Sequence, residues 1–367
     1  MRVGLTVDSL ASTLTGIGRY TWELCQGLST YPEVEDLGFF RFNEWISDPA
    51  SFLDTHRSRR PYRPKWLKRW LMQRGFEDRL VHGTNYFLPD SVEKGVITVH
   101  DMSIYLHEAT HPPERIAAFE KGFASSLARA AHIITDSETV RQELLQHQHS
   151  LSADQVTAIH LGVSPRYTPW TRAHYEPVID RMLGQTSPYI LCVATFEPRK
   201  RIEQAILAHA QLSEGYPVPP LVLVGARGWA NDALHRLVER QMQRGAVIML
   251  GQVAEEDLPF IYAGARLFIY PSIYEGFGLP PIEAMASGVP TIVSDRSCLP
   301  EVTKGAAMMC DPDDLDAFTE AIRRGLEDDN WRDISIDRGR QVAAGYTWEK
   351  CVENTVNVYR KVWADGG

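Results

Sequence analysis

Pro271-Ser-Ile-Tyr-Glu275-Gly-Phe-Gly-Leu-Pro-Pro-Ile-Glu283-Ala-Met-Ala-Ser-Gly288 is the stretch that decides how this chain is read. It follows Leu267–Tyr270, a continuous apolar run of the kind that forms a strand covered on both faces. A glycine-containing loop comes next, and a helix is expected to begin at Pro280 or Pro281. Proline suits a first helical position because the N–H it lacks would have had no partner. Gly276 and Gly278 let the backbone approach a ligand, and the free N–H groups of a helix start can cradle a phosphate. Glu275 on the loop and Glu283 in the helix are acceptor-only carboxylates, suited to sugar and ribose hydroxyls.

The same strand–loop–helix unit repeats in both directions. Tyr189–Val193, Leu221–Val224, Val247–Leu250 and Thr291–Ser294 are further buried-strand patterns, separated by helical segments. Upstream, Val3–Val7, Leu37–Phe42, Arg79–His82, Val96–Val99, Ile133–Thr135 and Val156–His160 read as strands. Helices are expected at Gly18–Ser29, Pro113–Ala131 and Ser137–His147, the last with Ser137 as N-cap. A Pro-, Tyr- and Trp-rich stretch without period, Ser164–Pro177, reads as a linker. Alternating strands and helices predict an α/β protein with parallel sheets, in two Rossmann-like domains. Such sheets bind ligands beyond the carboxyl ends of their strands.

The 367 residues suit two domains of ordinary size. Hydrophobic residues at 44% and charged residues at 23% place the chain among globular proteins rather than disordered ones. Residues 1–172 hold 19 Lys+Arg and 20 Asp+Glu, net −1, and residues 173–367 hold 19 and 27, net −8. The total of −9 argues against a dedicated nucleic-acid binder. Cys25, Cys192, Cys298, Cys310 and Cys351 are far apart, show no metal-ligand spacing, and read as reduced core residues. The opening MRVGLTVDSL is a strand pattern rather than a signal peptide, and no apolar run nears membrane-helix length. We therefore expect a cytoplasmic protein.

Three further strand ends carry candidate residues. In Thr195-Phe-Glu-Pro-Arg199-Lys200-Arg201, cations lie at a helix start, where the helix dipole disfavours them unless an anion is present. They are placed to stabilise a pyrophosphate leaving group. In Thr13-Leu-Thr-Gly16-Ile-Gly18-Arg19-Tyr20 the third glycine of a dinucleotide fingerprint is replaced by Thr21, which disfavours a nicotinamide site. In Val99-His100-Asp101 the imidazole is placed to meet donor hydroxyls and Asp101 an acceptor hydroxyl. His82, in Val-His-Gly-Thr-Asn85, is a secondary candidate, and His147 and His149 read as surface residues.

Across nearly its whole length the chain resembles glycosyltransferase family 4, a family of the GT-B fold. Glu275 and Glu283 match its Glu-x7-Glu motif, Lys200 its lysine, Gly16 and Gly18 its glycine-rich loop, and His100-Asp101 its His-Asp pair. The resemblance implies two Rossmann-like domains, 1–170 for the acceptor and 171–345 for the nucleotide sugar, facing across a cleft. It also implies a C-terminal helix, about 346–367, packing back on the first. Glu275 would hold donor-sugar hydroxyls, Glu283 the ribose, and the backbone of Gly276, Phe277, Gly278 and Leu279 the phosphates or sugar. Gly225, in Gly225-Ala-Arg-Gly-Trp229, would shape the donor site, and Val253, in Leu250-Gly-Gln-Val253, would lie where the backbone reads the base. The family arginine six residues before Lys200 is Ala194 here, and Arg199 is the expected substitute.

The implied reaction is retaining hexosyl transfer, from GDP-mannose by the family's mannosyltransferase-like subgroup, with no metal and no cofactor. The acceptor is expected to be a glycan or a polyprenyl-diphosphate-linked saccharide of cell-surface polysaccharide or O-antigen synthesis. A UDP-sugar donor and a non-catalytic scaffold are the alternatives. The basic, aromatic segment Arg57–Arg74 is expected to meet the inner face of the cytoplasmic membrane.

Overall fold

A computed structural model describes residues 1–53, 72–184, 188–228 and 232–364. Most of the basic segment, residues 57–71, lies outside the described residues. The chain divides into two compact units: Met1–Gly162 with Trp348–Gly367, and Val163–Thr347. The boundary precedes the expected 170. The Val163 N–H bonds the Tyr346 carbonyl, and Tyr167 packs on the core of the second unit.

In the first unit the strands are β1 (Arg2–Thr6), β2 (Asp36–Arg41), β3 (Glu44–Ile46), β4 (Leu80–Gly83), β5 (Gly95–Val99), β6 (Ala130–Thr135) and β7 (Val156–Ala158). Their order is β3-β2-β1-β4-β5-β6-β7, and every pair is parallel except β2–β3. Strand β3 was not anticipated. Phe42 (φ 43°) and Asn43 (φ 67°) make the two-residue turn that folds it back on β2. The strand order reverses between β1 and β4, and there Thr84 donates through its N–H to Thr6 Oγ1 (2.9 Å) and through its hydroxyl to Thr6 O (2.7 Å).

The helix Trp348–Ala364 belongs to this unit and packs along the helix Gly16–Ser29. A Cβ on Gly27 would lie 2.5 Å from Val352 Cγ2, so only glycine permits the approach. The helix is tied to the sheet by Tyr359, whose hydroxyl lies 2.6 Å from His82 Nδ1. His82 Nε2 in turn meets Thr98 Oγ1 at 2.8 Å. His82 is fully buried and serves this strut, rather than a ligand site.

The second unit has β8 (Ile190–Val193), β9 (Leu221–Val224), β10 (Val247–Gly251), β11 (Leu267–Tyr270), β12 (Thr291–Ser294) and β13 (Met308–Cys310). All pairs are parallel, in the order β10-β9-β8-β11-β12-β13. That is the doubly wound order, reversing between β8 and β11. Strands β9, β11 and β12 are buried throughout, as their unbroken apolar runs require. The expected linker is partly helical. Arg172–Leu183 runs through Pro177, and its Tyr175 and Ile179 join the apolar core.

All five cysteines are free thiols, four of them buried. Burial pushes Cys25, Cys192 and Cys310 up to about 12, which makes them inert at neutral pH. No helix among the described residues is long and apolar enough to cross a membrane.

Candidate active site

The strand order of the second unit places the segment after β8 beside the segment after β11. Three bonds stitch them together. Ile273 N–H donates to Arg199 O (2.9 Å), the Ser272 hydroxyl donates to the same oxygen (3.2 Å), and Arg199 Nη1 donates to Tyr274 O (3.0 Å). Ser297, from the segment after β12, clasps the backbone of Glu275. It accepts from Glu275 N (3.2 Å) and donates to Glu275 O (2.7 Å).

This framework brings Lys200 onto Glu275. The ammonium nitrogen lies 2.6 Å from Oε1 and 2.7 Å from Oε2, with Lys200 9% and Glu275 6% exposed. The Tyr270 hydroxyl completes the group, donating to Glu275 Oε1 (2.7 Å) and accepting from Lys200 (3.3 Å). Arg199 lies behind them, bonded through Nε to Glu197 (2.9 Å), with Nη1 3.6 Å from Glu275 Oε2. Burial alone would raise the Glu275 carboxyl, but Lys200 and Arg199 outweigh it and hold it below its ordinary range. Burial, followed by Arg199, lowers the Lys200 ammonium against the pull of Glu275. Burying two charges costs several kcal/mol per ion before their attraction is counted. A site that pays this for a carboxylate and an ammonium at strand ends has the character of functional machinery.

The helix expected after the loop runs over Leu279–Ala286 and begins one residue before Pro280. Gly278 takes φ 86° at its start, a left-handed conformation that favours glycine. Phe277 turns inward, its ring 5.4 Å from that of Tyr346, so only its backbone is offered to a ligand. Glu283 is half-buried and accepts from the Tyr262 hydroxyl (2.8 Å).

Gly225 has a packing reason of its own. Its φ is 147°, and a Cβ there would lie 2.0 Å from Ala194 O. The Val253 side chain packs on the apolar core, again leaving only backbone for recognition. Trp229 lies outside the described residues. No group of three or more His, Cys, Asp or Glu side chains that could hold a metal ion is gathered among the described residues.

In the first unit, Gly16 opens the helix Gly16–Ser29, whose N-cap Thr15 accepts from Gly18 N (3.4 Å). Arg19 pairs with Glu23 at 3.2 Å. His100 spends both ring nitrogens on the protein: Nδ1 lies 2.8 Å from Asp136 Oδ2 and Nε2 2.9 Å from Thr84 O. An acceptor at each nitrogen favours the doubly protonated ring. Burial opposes that charge, but Asp136 outweighs it and the His100 pKa is raised. Asp101 caps the turn Ser103–Leu106, its Oδ1 accepting from Ser103 N at 2.9 Å. His100 and Asp101 thus both have protein partners in this structure.

Sequence reasoning missed Tyr270, Tyr262, Ser297 and Asp136. Asp136 was within reach of the strand-end rule, since it follows β6 as His100 follows β5. Tyr270 was hidden because an aromatic at the end of a buried strand needs no further explanation.

Comparison with known proteins adds the following. The model of the family described as "Glycosyl transferases group 1" matches residues 181–342. O-antigen chain mannosyltransferase B of Escherichia coli is 36% identical over 98% of this chain and 100% of its own length. O-antigen chain mannosyltransferase RfbU of Salmonella typhimurium is 27% identical over 70% of this chain and 68% of its own. Sucrose-phosphate synthase from Thermosynechococcus elongatus superposes with a TM-score of 0.72 at 22% identity, covering 100% of both chains, which establishes the shared fold.

Proposed function

This chain belongs to the glycosyl transferases group 1 family, and on that premise we propose that it transfers mannose from a nucleotide-sugar donor to a saccharide in O-antigen synthesis. The identity that spans the whole of an O-antigen mannosyltransferase supports the reading, as does the second such relative. The observation that carries it is the buried Lys200–Glu275 pair at the switch point of the second sheet. On this reading the pair sets a carboxylate for the sugar and a cation for the phosphate within one hydrogen bond of each other.

In this reading GDP-mannose is the donor. Glu275 receives hydroxyls of the sugar, Glu283 those of the ribose, and the backbone of residues 276–279 meets the diphosphate at a helix start. An acceptor hydroxyl attacks the sugar's anomeric carbon from the face the diphosphate leaves. The bond to acceptor oxygen forms as the bond to phosphate oxygen breaks. The acceptor proton passes to the departing phosphate, and configuration is retained. Lys200, supported by Arg199, stabilises charge gathering on the leaving group. No protein nucleophile, metal or cofactor enters. The acceptor is a polyprenyl-diphosphate-linked saccharide at the inner face of the cytoplasmic membrane, with the basic residues 57–74 contributing membrane affinity by their charge.

Thermal shift with GDP, UDP, dTDP, CMP and NAD, each with and without EDTA, tests this. A ligand at 100 times its Kd adds about 2.7 kcal/mol. Stabilisation by GDP alone, unaffected by EDTA, is expected. Stabilisation by UDP alone reassigns the donor, and a folded protein that answers to none is a scaffold. The anomeric configuration of the product, read by NMR, tests retention.

A further inference from the structure

We propose that Tyr270 is the positioning residue of this site, its single hydroxyl setting the carboxylate that meets the sugar and the ammonium that meets the diphosphate. The inference rests on the functional reading above and adds to it a residue outside the Glu-x7-Glu stretch.

Tyr270 ends β11 and is 2% exposed. A strand position of that kind asks only for an aromatic ring. Phe268, two residues earlier on the same face, fills its place without a hydroxyl, the two rings stacking at 6.0 Å. A buried phenol must find partners for its oxygen or lose free energy. The partners of this one are the two charged groups of the site: it donates to Glu275 Oε1 at 2.7 Å and accepts from Lys200 Nζ at 3.3 Å.

An ammonium has three protons. In the donor-free protein two face Glu275 and the third faces Tyr270. Lys200 therefore cannot serve a diphosphate fully without leaving one of these partners. When the ammonium turns to the anion, Glu275 loses its closest positive neighbour. The Tyr270 O–H then remains as the donor to Oε1 and, beside the Arg199 charge and the Ser272 hydroxyl, helps keep the carboxylate ionised and aimed at the sugar. Hydrogen bonds to a carboxylate favour its charged form. The other charged or titratable groups around the cluster are Arg199, Glu197 beyond it, and Cys192. None of them donates a hydrogen bond to Glu275 Oε1.

The experiment is Tyr270→Phe in the full chain, with GDP-mannose as probe. Kd for GDP is measured together with the pH profile of GDP release to water. Release should fall about tenfold or more at saturating donor, the scale of a lost hydrogen bond to a charged group. The Kd for GDP should stay within about threefold. The acid limb of the release rate should move to higher pH, because the carboxylate has lost a donor. Tyr270 replaced by fluorinated tyrosines keeps ring and hydroxyl but makes the phenol a stronger donor, so the acid limb should move the opposite way. This second series also decides the matter if Tyr270→Phe does not fold. Wild-type release with an unmoved acid limb in both series overturns the proposal. A folded wild-type protein that binds neither GDP nor UDP overturns the functional reading, and this inference with it.

Discussion

Lys200 Nζ lies between the two carboxylate oxygens of Glu275, at 2.6 and 2.7 Å, although the residues are 75 positions apart in the chain. The switch between β8 and β11 creates the contact, because it makes neighbours of two segments that sequence order separates. Removing one partner of a buried ion pair leaves a charge without compensation, which costs about 3–5 kcal/mol. Lys200→Met and Glu275→Leu alone should each destabilise on that scale in urea titrations. The double variant should recover part of the loss, since an apolar pair of similar volume fits a buried site but leaves the Tyr270 hydroxyl without these two partners. Mannosyl transfer should be absent from all three. A double variant as unstable as the sum of the singles would show that the pair is not isolated in this way.

Tyr262 holds Glu283 through one hydrogen bond of 2.8 Å. Tyr262→Phe removes the donor and keeps the ring, which packs against Tyr167 and Phe268. The expected loss is about 0.5–1.5 kcal/mol of orientation. It should appear as a severalfold weaker Kd for the nucleoside diphosphate in calorimetry, with turnover at saturating donor unchanged. Equal loss in both would place Glu283 at the reacting sugar instead of the ribose.

The parts of this molecule that were legible in the sequence are those where one residue type has one physical use. The run of buried strands in the second unit could be read because a strand covered on both faces must be apolar throughout. The loop at 275–278 could be read because glycine, proline and carboxylate agree. Strand β3 could not, since its turn uses Phe42 and Asn43 where glycine would have announced a hairpin. Pro177 misled for the opposite reason. It reads as a break, yet it lies in a helix held by the burial of Ile179. Which strand-end residues would pair, Lys200 with Glu275 and His100 with Asp136, was beyond reach because pairing depends on strand order.

Asp136 and His100 form a buried pair at 2.8 Å, and Asp136 Oδ1 has no hydrogen-bond partner among the described residues. His100 has its pKa raised above 6.5 in the folded protein. Its contribution to stability is therefore fully present below pH 6.5 and is lost as pH rises through the folded value. In Asp136→Asn the charge that offsets burial is gone, and burial lowers the pKa of the ring. The imidazole carbon resonances of His100 should then titrate above 6.5 in the wild type and below it in the variant. A resonance that titrates at the same pH in both would remove Asp136 as the cause.

His82 presents the reverse case. Burial, with a smaller push from His100, lowers its pKa from 6.5 to about 3. The folded unit binds the neutral ring, so the stability it contributes is present above pH 6.5 and is lost as pH falls toward about 3. Below pH 6.5 that loss runs at about 1.4 kcal/mol per pH unit while the unfolded histidine is charged and the folded one is not. His82→Gln has no such titration. The stability gap between wild type and variant, measured by urea titration from pH 7.5 down to pH 4.5, should therefore narrow and then reverse. Loosening should begin at the helix Trp348–Ala364, because a charge on the buried His82 ring is relieved by admitting water where Tyr359 ties that helix to the sheet. Amide exchange in residues 348–364 should rise at acid pH before exchange in β11 does. A gap that stays constant across the range would show that His82 titrates alike in the folded and the unfolded chain.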